Sequence, residues 1–178
     1  MECRTQAVAT VIPNDPNAIR QMCDRFVEDV DGLGYDTESA MALVTGFAEA
    51  LANAHTHGNR REPQRTIVVV YRLNQNEASL DVCDEGYGFD PSSVPDPTVD
   101  ENIGKPGGRG LWLMRALFDT VEFVGGGRRV QLTKRIAKAP LRDTCSLGLK
   151  TLNRNRVEAE HQLADAHAVD ASCAKRNH

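Results

Sequence analysis

The chain has 178 residues, enough for one domain of common size with a substantial core. Its make-up, 40% apolar and 26% charged, is that of an ordinary globular protein rather than a disordered or fibrous one. A net charge of -4 with no dominant basic patch argues against a nucleic-acid partner, and no apolar run approaches the roughly 20 residues of a membrane span.

The N-terminal stretch MECRTQAVATVIPNDP lacks the basic start and apolar centre of a signal peptide. Cys3, Cys23, Cys83, Cys145 and Cys173 are odd in number, far apart and without a CxxC pair. Free thiols in a reducing cytoplasm are the simplest account, and the expected location is cytoplasmic.

Taken in chain order, TQAVATVI (residues 5–12) is expected to form a first strand, ended by Pro13. Asp15-Pro16 then opens a helix, with Asp15 as its cap. Ile19, Met22, Cys23, Phe26, Val27 and Val30 recur at helical spacing, so this helix faces the core. Asp31-Gly-Leu-Gly breaks it. A second helix is expected from Asp36 or Thr37 to about His57, ended by Gly58-Asn59. Met41, Val44, Ala48 and Leu51 read as its apolar stripe. Glu49, Asn53 and His57 recur every four residues and form a polar row on one face. Such a row is either a solvated face or a site.

TIVVVYR (66–72) is a β-branched run suited to a central strand. SLDVCD (79–84) alternates, with Leu80, Val82 and Asp84 on one face and Asp81 and Cys83 on the other. The two strands read as a hairpin. Asp84 then points to the core, where a carboxylate must find donors: those of a hairpin turn or those of a ligand. Gly86 and Gly88 follow and permit unusual backbone angles and close approach. The segment 85–110 is rich in glycine and proline and has no period of its own, which in a compact domain marks a functional or mobile loop.

Gly107-Gly108-Arg109-Gly110 precedes the helical LWLMRALFD. Free N–H groups and the dipole at such a helix start attract anions, and Lys105 and Arg109 add positive charge. The pattern also fits a plain glycine loop ending at a helix. Residues 121–124 and 129–135 read as a last hairpin around Gly125-Gly126-Gly127. Beyond Ala139-Pro140 large apolar residues thin out. Residues 139–178 are expected to be an appended flexible tail, with 157–168 as its one short polar helix.

Several residues have plain readings. His55 and His57 are two apart on a helix and cannot chelate one zinc together. Tyr87 and Phe89 are expected to pack beneath the loop that follows them. Trp112 reads as a surface or partner-contact residue, and Arg128-Arg129 as a solvated hairpin tip.

Three pieces in one order, an acid–amide helix, a strand ending in DxGxG, and a GxG helix entry, are more specific than any one of them. Together they resemble the GHKL or Bergerat-fold ATPase superfamily, which includes gyrases, histidine kinases and MutL proteins. Within it, the chain is most similar to the bacterial anti-sigma factor serine/threonine kinases. The likeness rests on EALANAHTHGN, DEGYGFDP and GGRGLWLMRALFD and covers residues 5–138. It implies an α/β two-layer sandwich, with a mixed, mostly antiparallel sheet covered on one face by helices. It implies ATP and Mg2+, with Asn53 as metal ligand and Glu49 as general base. Asp84 would accept the adenine amine, with Gly86 and Gly88 beside the base. Lys105, Gly108, Arg109, Gly110 and Leu111 would serve the phosphates, and His57 would have a secondary place at the site.

The function implied is phosphotransfer to Ser/Thr of an anti-sigma factor antagonist and sequestration of a sigma factor by a homodimeric protein. Two alternatives stand beside it. One is an ATP-responsive binding module without significant kinase activity. The other is a detached histidine-kinase catalytic domain, which the lack of any histidine before His55 disfavours.

Overall fold

A computed structural model describes residues 5–94 and 108–136. Lys105, Gly107, most of the loop after Val94, and the expected helix at 157–168 lie outside the described residues.

The first strand, β1, spans Gln6–Pro13. Helix α1 spans Pro16–Leu33; Asp15 Oδ1 accepts the N–H groups of Asn17 and Ala18, and Gly34 ends the helix at φ 66°. Helix α2 spans Thr37–Asn53, with Asp36 accepting Ser39 N–H at its start. It does not run on to His57 as an α-helix. A π-helical turn, Ala54–Gly58, follows, closed by the N–H of Asn59 donating to the C=O of Ala54 at 2.7 Å. Strands β2 (Thr66–Leu73) and β3 (Glu77–Asp84) form the expected hairpin. A short 3₁₀ turn, Pro91–Ser93, interrupts the segment that the sequence offers as pure loop. Helix α3 spans Arg109–Leu117, and β4 (Thr120–Val124) and β5 (Arg129–Arg135) make the last hairpin.

Among the described residues five strands order as β1-β2-β3-β5-β4, and each pairing is antiparallel. The helices cover one face, with α2 packed against both α1 and α3. The fold is therefore the expected two-layer α+β sandwich. The inner sheet face carries Ile67, Val69, Tyr71, Leu80, Val82, Val130 and Leu132, all buried. The outer face leaves Val11, Val68 and Val70 exposed.

The apolar stripe expected on α2 is corrected. Met41 is 40% exposed, and Val44 and Ala48 are only partly buried. The buried residues are Ser39, Ala40, Ala42, Leu43, Gly46, Phe47, Ala50 and Leu51. A helix touched by a helix on either side and by the sheet below buries more of its circumference than a single stripe, so an apolar residue on its own does not mark the core side. Gly46 is part of this packing, because a Cβ there would strike the ring of Phe118.

The centre of the core is aromatic. Phe26 stacks on Phe47 at 4.1 Å between ring centroids, and both meet Tyr71 edge-on at 5.0 and 5.8 Å. The Tyr71 hydroxyl donates to Asp29 at 2.5 Å, tying α1 to the sheet. Phe47 lies one helical turn from Leu43 and Leu51 and two residues from Glu49, so packing here also fixes the polar end of α2. Phe47→Ala removes a fully buried ring and is expected to cost about 3–5 kcal/mol of folding stability, measured by urea denaturation. A loss under about 1 kcal/mol would contradict this account of the core.

Candidate functional site

The last turns of α2 carry Glu49 and Asn53, one turn apart and both half-buried. Neither side chain has a hydrogen-bond or ion-pair partner among the described residues. Burial pushes the Glu49 carboxyl above the ordinary carboxylate range. The two side chains meet the start of α3. A Cβ on Gly110 would collide with the Glu49 carboxylate and lie 3.5 Å from the Asn53 amide nitrogen. Gly110 is thus required by close approach. Gly108 is required by conformation: it caps α3 at φ 81°. Among the described residues no side chain caps that helix start, and its first turn carries no acid, so its N–H groups stay available to an anion.

A second group forms where the π turn meets the end of β3. Register sets Asp84 opposite Ile67, on the inner face with Leu80 and Val82, as the alternation predicts. Asp84 Oδ1 accepts Gly86 N–H at 2.7 Å. Burial raises its pKa, opposed by that hydrogen bond and by the charges of Arg128 and Arg65. Gly58 lies directly over it: a Cβ there would stand 2.6 Å from Asp84 Oδ1 and closer still to the other carboxylate atoms. A Cβ on Gly86 would strike the C=O of Gly58. Gly88, at φ 74°, packs instead against Gly126 of the β4–β5 turn, where Phe89 N–H donates to Gly126 C=O at 3.0 Å.

Asn59 joins these pieces. It is fully buried, its Nδ2 donates to Thr66 C=O, and its Oδ1 accepts Glu85 N–H, each at 2.9 Å. Glu85 in turn accepts Thr66 N–H at 2.7 Å. One amide therefore binds the end of the π turn to the start of β2 and the end of β3. In the sequence Asn59 marks only the end of a helix and the close of a motif; a polar residue after a helix-ending glycine gives no local sign that it will be buried.

The remaining candidates separate. Arg109 is exposed on the first turn of α3. The Leu111 side chain is buried in the core, which leaves only its main-chain N–H for a ligand. His57 is exposed on the π turn. Tyr87 stands in solvent, and most of the loop expected over it lies outside the described residues. Tyr87 is 79% exposed, with the guanidinium groups of Arg60 and Arg65 over its ring at 5.5 and 5.4 Å. Phe89 meets Phe123 edge-on at 5.4 Å. Arg129 is not a free hairpin tip; it forks onto Asp81 across the outer sheet face, with Nε 2.7 Å from Oδ1. Trp112 is 45% exposed. Two shallow depressions, one over the outer sheet face and one between Tyr87 and the β4–β5 turn, include neither Glu49 nor Asn53. Among the described residues no helix is long and apolar enough to cross a membrane.

Comparison with known proteins bears on this arrangement. A structure containing the RsbU and RsbW domains of Rv1364c from Mycobacterium tuberculosis is similar, at 19% sequence identity and a TM-score of 0.52. The match covers 79% of this chain and 35% of that one, so this chain spans about a third of its length. At that identity the likeness shows a shared fold. No curated protein matches by sequence. The pattern of the histidine kinase-like ATPase domain matches residues 12–134, a span that holds the acid–amide helix, Asp84 and the glycine entry to α3, and the chain belongs to that family.

Proposed function

We propose that this protein is an ATP-Mg-binding regulator of the anti-sigma factor type. In this reading it transfers the ATP γ-phosphate to a serine or threonine of an antagonist protein and, in alternation, sequesters a sigma factor. One observation carries the reading: Glu49 and Asn53, half-buried and without partners among the described residues, face the glycine start of α3. A half-buried acid and amide with no partner among the described residues are free to be completed by a ligand. Membership of the histidine kinase-like ATPase family supports ATP as that ligand. The fold shared with a chain that includes an RsbW domain supports the regulatory assignment.

The roles follow from chemistry. The Asn53 side-chain oxygen is the hard, neutral donor that Mg2+ accepts alongside phosphate oxygens and water. When bound, Mg2+ supplies neutralisation of the phosphate charge. The N–H groups opening α3, with Arg109, would take the phosphates; the carboxylate of Asp84 would accept the adenine amine, with Gly86 leaving room. Glu49 would take the proton of the attacking hydroxyl as its oxygen bonds to the γ-phosphorus, the bond to the β-phosphate breaks, and ADP leaves. The raised pKa of Glu49 suits this role, because a base works best with a pKa nearer the working pH. The sigma factor, the antagonist and a homodimer belong to the same proposal.

Three outcomes test it. Asn53→Ala should abolish Mg-dependent ATP binding in a calorimetric titration; unchanged affinity would refute the metal role. Glu49→Gln should keep ATP binding while phosphotransfer to a candidate antagonist falls by ~10²–10⁴, followed with labelled ATP. Equal losses of binding and turnover would make Glu49 structural, and an unaltered chain that binds ATP yet yields no phosphoprotein would leave an ATP-responsive binding module. The third outcome concerns stability. A raised carboxyl pKa means that the folded state holds the proton more tightly than the unfolded one, so stability falls as pH rises through the Glu49 titration. Glu49→Gln should therefore raise the thermal midpoint at neutral pH, with the gain shrinking as pH falls through the raised Glu49 titration and gone below the ordinary glutamate range. A midpoint lowered at neutral pH would contradict the burial account.

A further inference from the structure

The π turn that carries the chain from Asn53 to Gly58 is fastened on another side to the end of β1. Asn14, just after that strand, is buried at 2% exposure. Its main-chain N–H donates to Arg65 C=O at 3.1 Å, and its Nδ2 donates to Glu62 C=O at 2.9 Å. Its Oδ1 lies 2.8 Å from His55 Nδ1. Hydrogen-bond accounting assigns the roles. With Nδ2 committed to Glu62, the amide oxygen can only accept, so His55 Nδ1 carries the proton. The C=O of His55 in turn accepts Arg61 N–H at 2.8 Å. The loop so held includes two consecutive arginines in the left-handed region, Arg60 at φ 51° and Arg61 at φ 59°. Bulky residues hold that conformation only where the surroundings over-determine it.

A π turn is rare, and π turns gather at functional sites. This one has a strict geometric task. Asn53 sits at its start, and Gly58 at its end touches Asp84 and Gly86 with no room for a single added carbon. Reversion to an α-turn would rotate and shift Gly58 and Asn59 relative to α2, and the contact has no slack to absorb that. We propose that His55 is a positioning residue: by donating to Asn14 it holds the turn in its π form, and so fixes the metal arm on α2 relative to the carboxylate on β3. The functional consequence rests on the nucleotide-site reading above; the lock itself does not.

The test uses the full chain with His55→Ala and His55→Gln, the second able to donate to Asn14 through its side-chain amide. Amide hydrogen exchange, followed by NMR without nucleotide, reads the Asn59 N–H that closes the turn. His55→Ala should accelerate exchange at Asn59 about tenfold, as for loss of one net hydrogen bond to a charge-neutral partner, while Val69 in the central strand keeps its rate. His55→Gln should restore Asn59. The same variants should show Mg-dependent ATP affinity weakened by Ala and recovered by Gln. Unchanged exchange at Asn59, parallel acceleration at Val69, or no rescue by Gln would each overturn the proposal. Absence of ATP binding by the unaltered chain would overturn the nucleotide reading alone, since the exchange measurement still decides the lock.

Discussion

No side-chain atom fits between the end of the π turn and the end of β3. Gly58 rests on the Asp84 carboxylate, and Gly86 rests on the Gly58 carbonyl. This contact sets how far the helix layer stands from the sheet at one end of the molecule. Ala54 anchors the start of the turn in the core, but its glycine end offers no side chain to pack, so polar groups tie that end down. Asn59 and Asn14 do this from two sides, each buried and each with its amide committed to main-chain or imidazole partners. A buried amide with its hydrogen bonds made costs little, whereas one that loses a partner costs about 1–3 kcal/mol. The arrangement is therefore stiff where the candidate site needs to be stiff.

The polar groups facing the candidate site are treated in the opposite way. Glu49 and Asn53 are half-buried yet lack partners among the described residues, and Asp84 has one backbone donor while burial drives its pKa upward. The molecule satisfies its supporting amides and leaves its facing acids under-satisfied. That division is what a site built for a polar ligand requires, since a ligand can contribute only to groups not already committed. The packing of Gly110 against Glu49 and Asn53 brings a third element, the start of α3, to the same place.

Much of this was legible in the sequence, for identifiable reasons. The strong helical period of α1 and the alternation of β3 are local patterns, and the latter correctly turned Asp84 inward. The order of the three motifs was enough to suggest the family that residues 12–134 match. What the sequence did not reveal depends on partners distant along the chain. The buried side of α2 is set by α1, α3 and the sheet together, so Met41 looked like core and is exposed. Gly46, Gly58 and Gly110 are required by Phe118, Asp84 and Glu49 respectively, contacts 72, 26 and 61 residues away in sequence. The contact of His55 with Asn14 spans 41 residues and leaves no local sign in the sequence. The Arg129–Asp81 fork was missed because an arginine beside a glycine turn normally reaches into water.

The central claim is that Asp84, Glu49 and Asn53 form one adenine-nucleotide site. Its most direct test is a calorimetric comparison of ATP and inosine triphosphate, both with Mg2+, on the unaltered chain. The two differ where adenine carries an amine and hypoxanthine a carbonyl oxygen. A carboxylate at Asp84 that accepts the amine would be left facing that oxygen. The account predicts that ATP binds at least about tenfold more tightly, because a site built for a donor leaves a buried acceptor unpaired when the donor is removed. Equal affinity for the two nucleotides would contradict it.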